Sequence, residues 1–289
     1  MTENTNSKFP SEADVVIVGV GGIVGSMIAY WLSELGQKNI VGLEKSSVIP
    51  SDIASTAHAS DFVYNTTHDK LGCWTTAYSR KFYEDNGFFL KKGGLEICRK
   101  GDDARWEELK RKVGSGKAFG TNVRLISASE AKDKFPLLDE ESLMGAMWDP
   151  DAGLVIPRSQ DVVSFAVESA KDKGALKTFT DTPAIDFEVE NGRVTGVKTD
   201  KGFIKTDKVV ICSGIWGPLM GKKAGVPVPL MPLEHPLLFF GHFQKLKALK
   251  IFLFTLFFAI RATQLTLEIL GDFMAECLNG VSMKIKNHA

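Results

Sequence analysis

A glycine cluster near the amino terminus, GVGGIVG at positions 19–25, and the acidic Glu44 have the residue types and spacing for binding phosphate and sugar groups. Glycines let the backbone turn tightly and approach a phosphate, and the N–H groups at the start of a following helix attract an anion. A carboxylate about 20 residues beyond the glycines can accept hydrogen bonds from a ribose 2′-OH, and it would repel a 2′-phosphate. The pattern therefore predicts a dinucleotide site at which NADP is disfavoured.

The surrounding residues predict the elements that would position these groups. Residues 13–18 are a short β-branched run typical of a buried strand, and residues 23–35 carry apolar side chains near helical spacing. Residues 39–43 predict a second strand, and Glu44 stands at its end. Strand, glycine turn, helix and strand make the βαβ unit of a Rossmann-like α/β fold. The pattern alone leaves FAD and NAD open.

The glycine spacing departs from the strict G-x-G-x-x-G pattern. A motif that starts at Gly19 would need glycine at position 24, and a motif that ends at Gly25 would need glycine at position 20. Both positions are valine. We therefore expect the cluster to contain one extra residue or a shifted turn.

Six short segments farther along the chain carry a resemblance to a known family. They are STAHA at 55–59, GGLE at 93–96, FPLL at 135–138, DPDAG at 149–153, VVICSGIW at 209–216 and PLEH at 232–235. Together they resemble the FAD-dependent amine oxidoreductases of the dimethylglycine oxidase and sarcosine dehydrogenase group, over residues 13–240.

The resemblance implies an enzyme that oxidises a secondary or tertiary N-methyl amino acid, such as dimethylglycine or sarcosine, by hydride transfer to FAD. It implies covalent attachment of FAD through His58. It also puts His235 at the substrate side of the flavin, where an imidazole can relay the amine proton as the catalytic residue. The partner is then a small-molecule amine, and the electron acceptor stays open. The expected cofactor-binding residues are Gly19, Gly21, Gly22, Gly25, Glu44, Lys45, Ser55, Thr56, His58, Gly214 and Trp216.

Each of these assignments has a simpler alternative. His58 follows Ser55 and Thr56, a plausible helix N-cap, and can be a surface histidine or a non-covalent flavin contact. His235 lies in a proline-rich stretch and can be a structural loop residue, and Trp216 can be a core residue. For the whole chain, the alternatives are a non-catalytic regulatory relative that keeps the FAD fold and an NAD-dependent enzyme.

The middle of the chain predicts the element order of a glutathione-reductase-like FAD-binding domain. Helices are expected at 70–89 and 102–118, a strand at 93–99, a helix within 157–174, a β-meander at 185–190, 194–199 and 203–206, and a parallel return strand at 208–212. We expect FAD-binding segments at 13–65 and 183–220. Substrate-side excursions at 66–182 and 221–240 would form an incomplete α+β substrate domain.

Composition limits the class of protein. Of 289 residues, 44% are apolar and 24% charged, and Lys+Arg and Asp+Glu both total 35, so no charge bias indicates nucleic acid or an anionic membrane. The four cysteines form no C-x-x-C pair, so no metal site is expected. Residues 1–12 are polar without a signal-peptide pattern and predict a disordered tail. We expect a cytoplasmic protein, or one of the mitochondrial matrix if it is eukaryotic.

Residues 241–289 do not continue the resemblance. They contain the run IFLFTLFFAI at 251–260, which at ten residues is too short to span a bilayer. The expectation is a truncated or frameshifted, inactive copy of the family's enzyme, and the alternative is a genuine amphipathic tail.

Overall fold

The computed structural model describes residues 9–136 and 138–232, and their contacts divide them into two compact units. Unit 1 contains residues 9–61 and 156–232, and unit 2 contains the described residues between 62 and 155. Residues 233–289 lie outside the described residues, and with them His235 and the apolar run of the tail.

The helices are α1 Ile23–Glu34, α2 Lys70–Asp85, α3 Asp103–Ala118, α4 Ala128–Lys134, α5 Ser159–Asp172 and α6 Gly217–Lys223. The strands are β1 Val15–Val18, β2 Ile40–Leu43, β3 Phe62–Val63, β4 Phe89–Lys91, β5 Gly94–Arg99, β6 Arg124–Ile126, β7 Leu143–Asp149, β8 Gly153–Val155, β9 Leu176–Phe179, β10 Ala184–Glu190, β11 Arg193–Thr199, β12 Gly202–Lys205 and β13 Val209–Ile211.

Unit 1 is built on a parallel sheet with the strand order β13-β1-β2-β9. All four residues of β1 are buried, as a central parallel strand covered on both faces requires. Val15 and Ile17 point to the face that α1 and α5 cover, whereas Val16 and Val18 point to the face covered by the β-meander and α6. The α/β class predicted from the sequence is confirmed.

The predicted meander is present as the antiparallel sheet β10-β11-β12. Its first turn places Asn191 and Gly192 at φ +50° and +74°, the left-handed conformation that a two-residue hairpin turn needs. The predicted return strand is β13, which pairs parallel with β1.

Unit 2 contains two antiparallel three-stranded sheets, β3-β8-β4 and β5-β7-β6, with α2, α3 and α4. The Ser-x-x-Glu pattern at the start of α4 forms a capping box: the Glu130 N–H donates to Ser127 Oγ, and the Ser127 N–H donates to Glu130 Oε2. Strands β3, β4, β6, β7 and β8 were not predicted.

Three expectations need correction. The helix expected at 70–89 ends at Asp85, because Gly87 adopts φ +75° and the chain turns into β4. Helix α5 and strand β9 fall in unit 1 and not with the excursion 66–182, because β9 pairs with β2. Residues 9–12 are not disordered: the Phe9 ring lies 5.2 Å from that of Phe179, and the carbonyl of Ser11 accepts from the Lys205 N–H.

Candidate dinucleotide-binding site

The glycine turn brings the end of β1 and the start of α1 into direct contact. Gly19 has φ +90°, and a Cβ there would lie 2.5 Å from the carbonyl oxygen of Cys212. A Cβ at Gly25 would lie 2.1 Å from the carbonyl oxygen of Gly19. Any side chain at either position would push the helix or β13 away from the turn.

The valine at position 20 is accommodated by a glycine on the neighbouring strand. Val20 is fully buried, and a Cβ at Gly42 would lie 2.9 Å from three carbon atoms of its side chain. Sequence reasoning missed Gly42, because its importance depends on strand pairing and not on its place in the motif.

Glu44 lies at the carboxyl end of β2, and its buried carboxylate accepts three hydrogen bonds. Oε2 accepts from the Gly21 N–H at 2.9 Å, and Oε1 accepts from the Ser46 N–H at 2.9 Å and from Ser51 Oγ at 3.1 Å. The carboxylate therefore ties the glycine turn to the loop after β2. Ser46 and Ser51 were not predicted, because neither belongs to a motif.

Thr56 connects the STAHA segment to α1. Residues Ser55–His58 form a 3₁₀ turn, and Thr56 Oγ1 accepts from the Ile23 N–H at 3.0 Å. That bond satisfies one of the N–H groups that the first turn of a helix leaves without a helical partner. The alternative interpretation, in which Ser55 and Thr56 form a helix N-cap, is wrong. The N-cap of this 3₁₀ turn is Ala54, and it makes no side-chain capping bond.

The residues after β13 face the glycine turn and the STAHA segment across a cleft. Gly214 has φ +52°, and Trp216 lies beside Lys45, whose Nζ is 4.6 Å from the centre of the indole ring. Burial raises the pKa of the Cys212 thiol to about 11, so this cysteine is a neutral thiol at pH 7 and a poor nucleophile.

Together these residues surround a cleft of about 710 Å³ within unit 1. The predicted cofactor-binding residues that line it are Gly19, Gly22, Glu44, Lys45, Ser55, Thr56, Gly214 and Trp216. Gly21 and Gly25 do not line the cleft but hold the turn in shape. His58 ends the 3₁₀ turn with an exposed side chain and is not among the lining residues, although Ser55 and Thr56 of the same turn are.

The cleft suits a dinucleotide. Its volume falls within the range of pockets that hold cofactors. The glycine turn and the start of α1 supply phosphate-binding geometry, and Glu44 supplies a buried acceptor beside them. Within residues 9–136 and 138–232, no helix is long and apolar enough to cross a membrane. The same residues hold no group of three His, Cys, Asp or Glu side chains placed to bind a metal ion.

The fold and the cleft define a dinucleotide-binding α/β protein, and comparison with known proteins gives the family. Residues 14–260 match the model of the FAD dependent oxidoreductase family, DAO. The chain belongs to this family, whose cofactor is FAD, and the predicted resemblance, Rossmann-like fold and FAD cofactor are confirmed.

The relatives include enzymes and a regulatory protein. Human mitochondrial sarcosine dehydrogenase is 29% identical over 253 residues, covering 81% of this chain and 26% of the relative. The mouse mitochondrial pyruvate dehydrogenase phosphatase regulatory subunit is 31% identical over 236 residues, covering 78% and 26%. The crystal structure of L-proline dehydrogenase from P. horikoshii superimposes with a TM-score of 0.67 at 30% identity, covering 75% and 57%. The chain thus spans about a quarter of the length of these two curated relatives.

Proposed function

We propose that this protein binds FAD in the cleft of unit 1 and oxidises a secondary or tertiary amine of the N-methyl amino acid class. The main support for this proposal is the cleft. In it the glycine turn, which suits a pyrophosphate, lies beside the buried carboxylate of Glu44, which suits a ribose. Relatives named sarcosine dehydrogenase, dimethylglycine dehydrogenase and 4-methylaminobutanoate oxidase support the substrate class. When bound, the flavin accepts a hydride equivalent from an N-methyl carbon and leaves an iminium on the substrate.

Different residues of the cleft would bind different parts of the cofactor. The start of α1 binds the pyrophosphate through backbone N–H groups other than that of Ile23, which donates to Thr56, and through the positive end of the helix dipole. Glu44 accepts from the ribose through the one lone pair, on Oε2, that its three protein donors leave available. Lys45 and Trp216 form one wall of the cleft. His235 stays a proposal for the catalytic residue.

His58 is proposed to carry the flavin covalently. Attachment would break a C–H bond of the flavin 8α-methyl group and the imidazole N–H bond of His58, and it would form a C–N bond between them. The two protons and two electrons would pass to the flavin ring, and dioxygen as the acceptor would take them up as hydrogen peroxide. The exposed imidazole at the end of the 3₁₀ turn is free of the packing that would prevent this reaction.

Replacing His58 with alanine is expected to abolish covalent flavin while leaving FAD binding in place, because the cleft is formed by other residues. The measurement is flavin fluorescence on a denaturing gel after acid treatment, beside the flavin released into the supernatant. His68→Ala is the matched control, since His68 is also an exposed histidine but lies in unit 2. A fluorescent band that persists in His58→Ala would assign attachment to another residue.

A regulatory function without catalysis is the second candidate, favoured by the regulatory subunit at 31% identity. Dye reduction with sarcosine and dimethylglycine, measured on protein whose visible absorbance shows bound flavin, separates the two. Amine-dependent reduction of the dye supports the enzyme. Full flavin occupancy with no reduction by either amine or by 4-methylaminobutanoate would contradict it and favour the regulatory candidate.

The compartment is also a proposal. Several relatives are named as mitochondrial proteins, which supports the mitochondrial alternative to a cytoplasmic location if the protein is eukaryotic. Fractionation of cells that express the native gene would distinguish them.

A further inference from the structure

The segment that carries His58 is fastened at both ends to helix N-termini. We call residues 55–61 the histidine segment. At its first end, Thr56 Oγ1 accepts from the Ile23 N–H of α1 at 3.0 Å. At its last end, Asp61 Oδ1 accepts from the Ser159 N–H at the start of α5 at 2.9 Å. The two helices pack against each other in unit 1, so both ends of the segment are attached to the same helix pair.

Asp61, at the last end of the segment, makes more hydrogen bonds to its helix than Thr56 makes at the first end. Its carboxylate is nearly buried, with 9% of the side chain exposed, and it accepts from Arg158 Nε through Oδ2 and from Ser159 Oγ through Oδ1 at 2.5 Å. It therefore caps α5 from outside the helix, because Arg158, the N-cap residue, makes no side-chain capping bond. A negative charge at this end also complements the helix dipole.

Arg158 extends the anchor toward the histidine. Besides pairing with Asp61, its guanidinium donates from Nη2 to the carbonyl of Ala59 at 3.4 Å. Ala59 directly follows His58, and its own N–H donates to the carbonyl of Thr56. Asp61 adopts φ +61°, a left-handed conformation that persists only where surrounding contacts hold it.

We infer that Asp61 and Arg158 are positioning residues for flavin attachment, acting by holding the histidine segment so that the imidazole of His58 meets the flavin methyl group. The inference rests on the proposed attachment through His58. Bond formation requires the reacting atoms to be held close together, and displacement by about 1 Å can cost about a hundredfold in rate. Releasing the Asp61 end of the segment adds this freedom, whereas Thr56, which lines the cleft at the other end, keeps its bond to the Ile23 N–H.

Asp61→Asn tests the ion pair with little change to the backbone, because asparagine also tolerates the left-handed conformation. Its amide oxygen can still accept from Ser159, but its NH₂ group faces the Arg158 guanidinium. After apoprotein is mixed with FAD, acid-precipitable flavin is followed with time, and total bound FAD is measured by absorbance. We expect attachment to slow by about tenfold while the bound FAD at saturation matches wild type.

Arg158 supplies the second test, since its side chain is 41% exposed and its replacement leaves no cavity in the core. Arg158→Ala should slow attachment as Asp61→Asn does, and Arg158→Lys should restore part of the rate by keeping the charge. Lys173→Ala is the matched control, because it removes another partly exposed ion pair of unit 1, with Glu34, far from the histidine segment in sequence. A thermal melt confirms that each variant is folded.

The outcomes separate the inference from the proposal on which it rests. Attachment at the wild-type rate in folded Asp61→Asn and Arg158→Ala would overturn the inference and leave His58 as the attachment site. Wild-type protein that binds FAD but never holds it covalently would overturn both attachment and positioning. Slowing by Lys173→Ala to the same extent would show a general loss of stability, which also overturns the positioning role.

Discussion

Replacing Gly25 with alanine is expected to destabilise the protein by about 3 kcal/mol and to abolish its retention of FAD during purification. The new Cβ would lie 2.1 Å from the carbonyl oxygen of Gly19, a backbone atom that cannot rotate away. Either α1 moves outward or the glycine turn deforms. Both changes disturb the backbone N–H groups proposed to bind the pyrophosphate.

Gly114→Ala is the control for the effect of alanine itself. Gly114 lies within α3, and a Cβ there meets no atom within 4 Å. Alanine at such a position should stabilise the helix by up to about 1 kcal/mol. Urea unfolding and flavin absorbance after gel filtration measure the two effects. If Gly25→Ala unfolds and retains FAD as wild type does, the close contact between α1 and the turn is not required for the site.

The elements that the sequence predicted are those specified by neighbouring residues. The buried β1 and β2, the helix between them and the meander with its Asn191-Gly192 turn depend on local periodicity and turn chemistry, and all are present. The family resemblance added the FAD cofactor, which local patterns had left open against NAD.

The features that escaped prediction join residues far apart in the chain. Thr56 meets Ile23 across 33 positions, and Asp61 meets Arg158 across 97. No periodicity or motif in the sequence predicts either contact. The space at Gly42 that admits Val20 depends on strand pairing, as does the place of β9 beside β2. Such contacts follow from tertiary packing, which overrides local preference.

Glu44→Gln is expected to weaken FAD binding by about 10- to 100-fold and to destabilise the FAD-free protein by about 2 kcal/mol. The carboxylate accepts from the Gly21 N–H on one oxygen and from the Ser46 N–H on the other. Glutamine has one oxygen and one NH₂ group. In either rotamer, therefore, the NH₂ group faces the backbone N–H of Gly21 or of Ser46 in a buried site, and two donors oppose each other. The loss of charge also weakens the proposed bond from the ribose.

The two effects of Glu44→Gln are separable because they are measured on different states. Urea unfolding without FAD reports the bonds to the glycine turn, and quenching of flavin fluorescence on titration reports affinity for the cofactor. Ser51→Ala is the control, since it removes the hydroxyl that donates to Glu44 Oε1 and does not place two hydrogen-bond donors opposite each other. We expect it to destabilise the FAD-free protein by about 1 kcal/mol and, although Ser51 lines the cleft, to weaken FAD binding less than Glu44→Gln does. If Glu44→Gln lost stability yet bound FAD as tightly as wild type, Glu44 would serve to fasten the turn, and its proposed role at the ribose would be wrong.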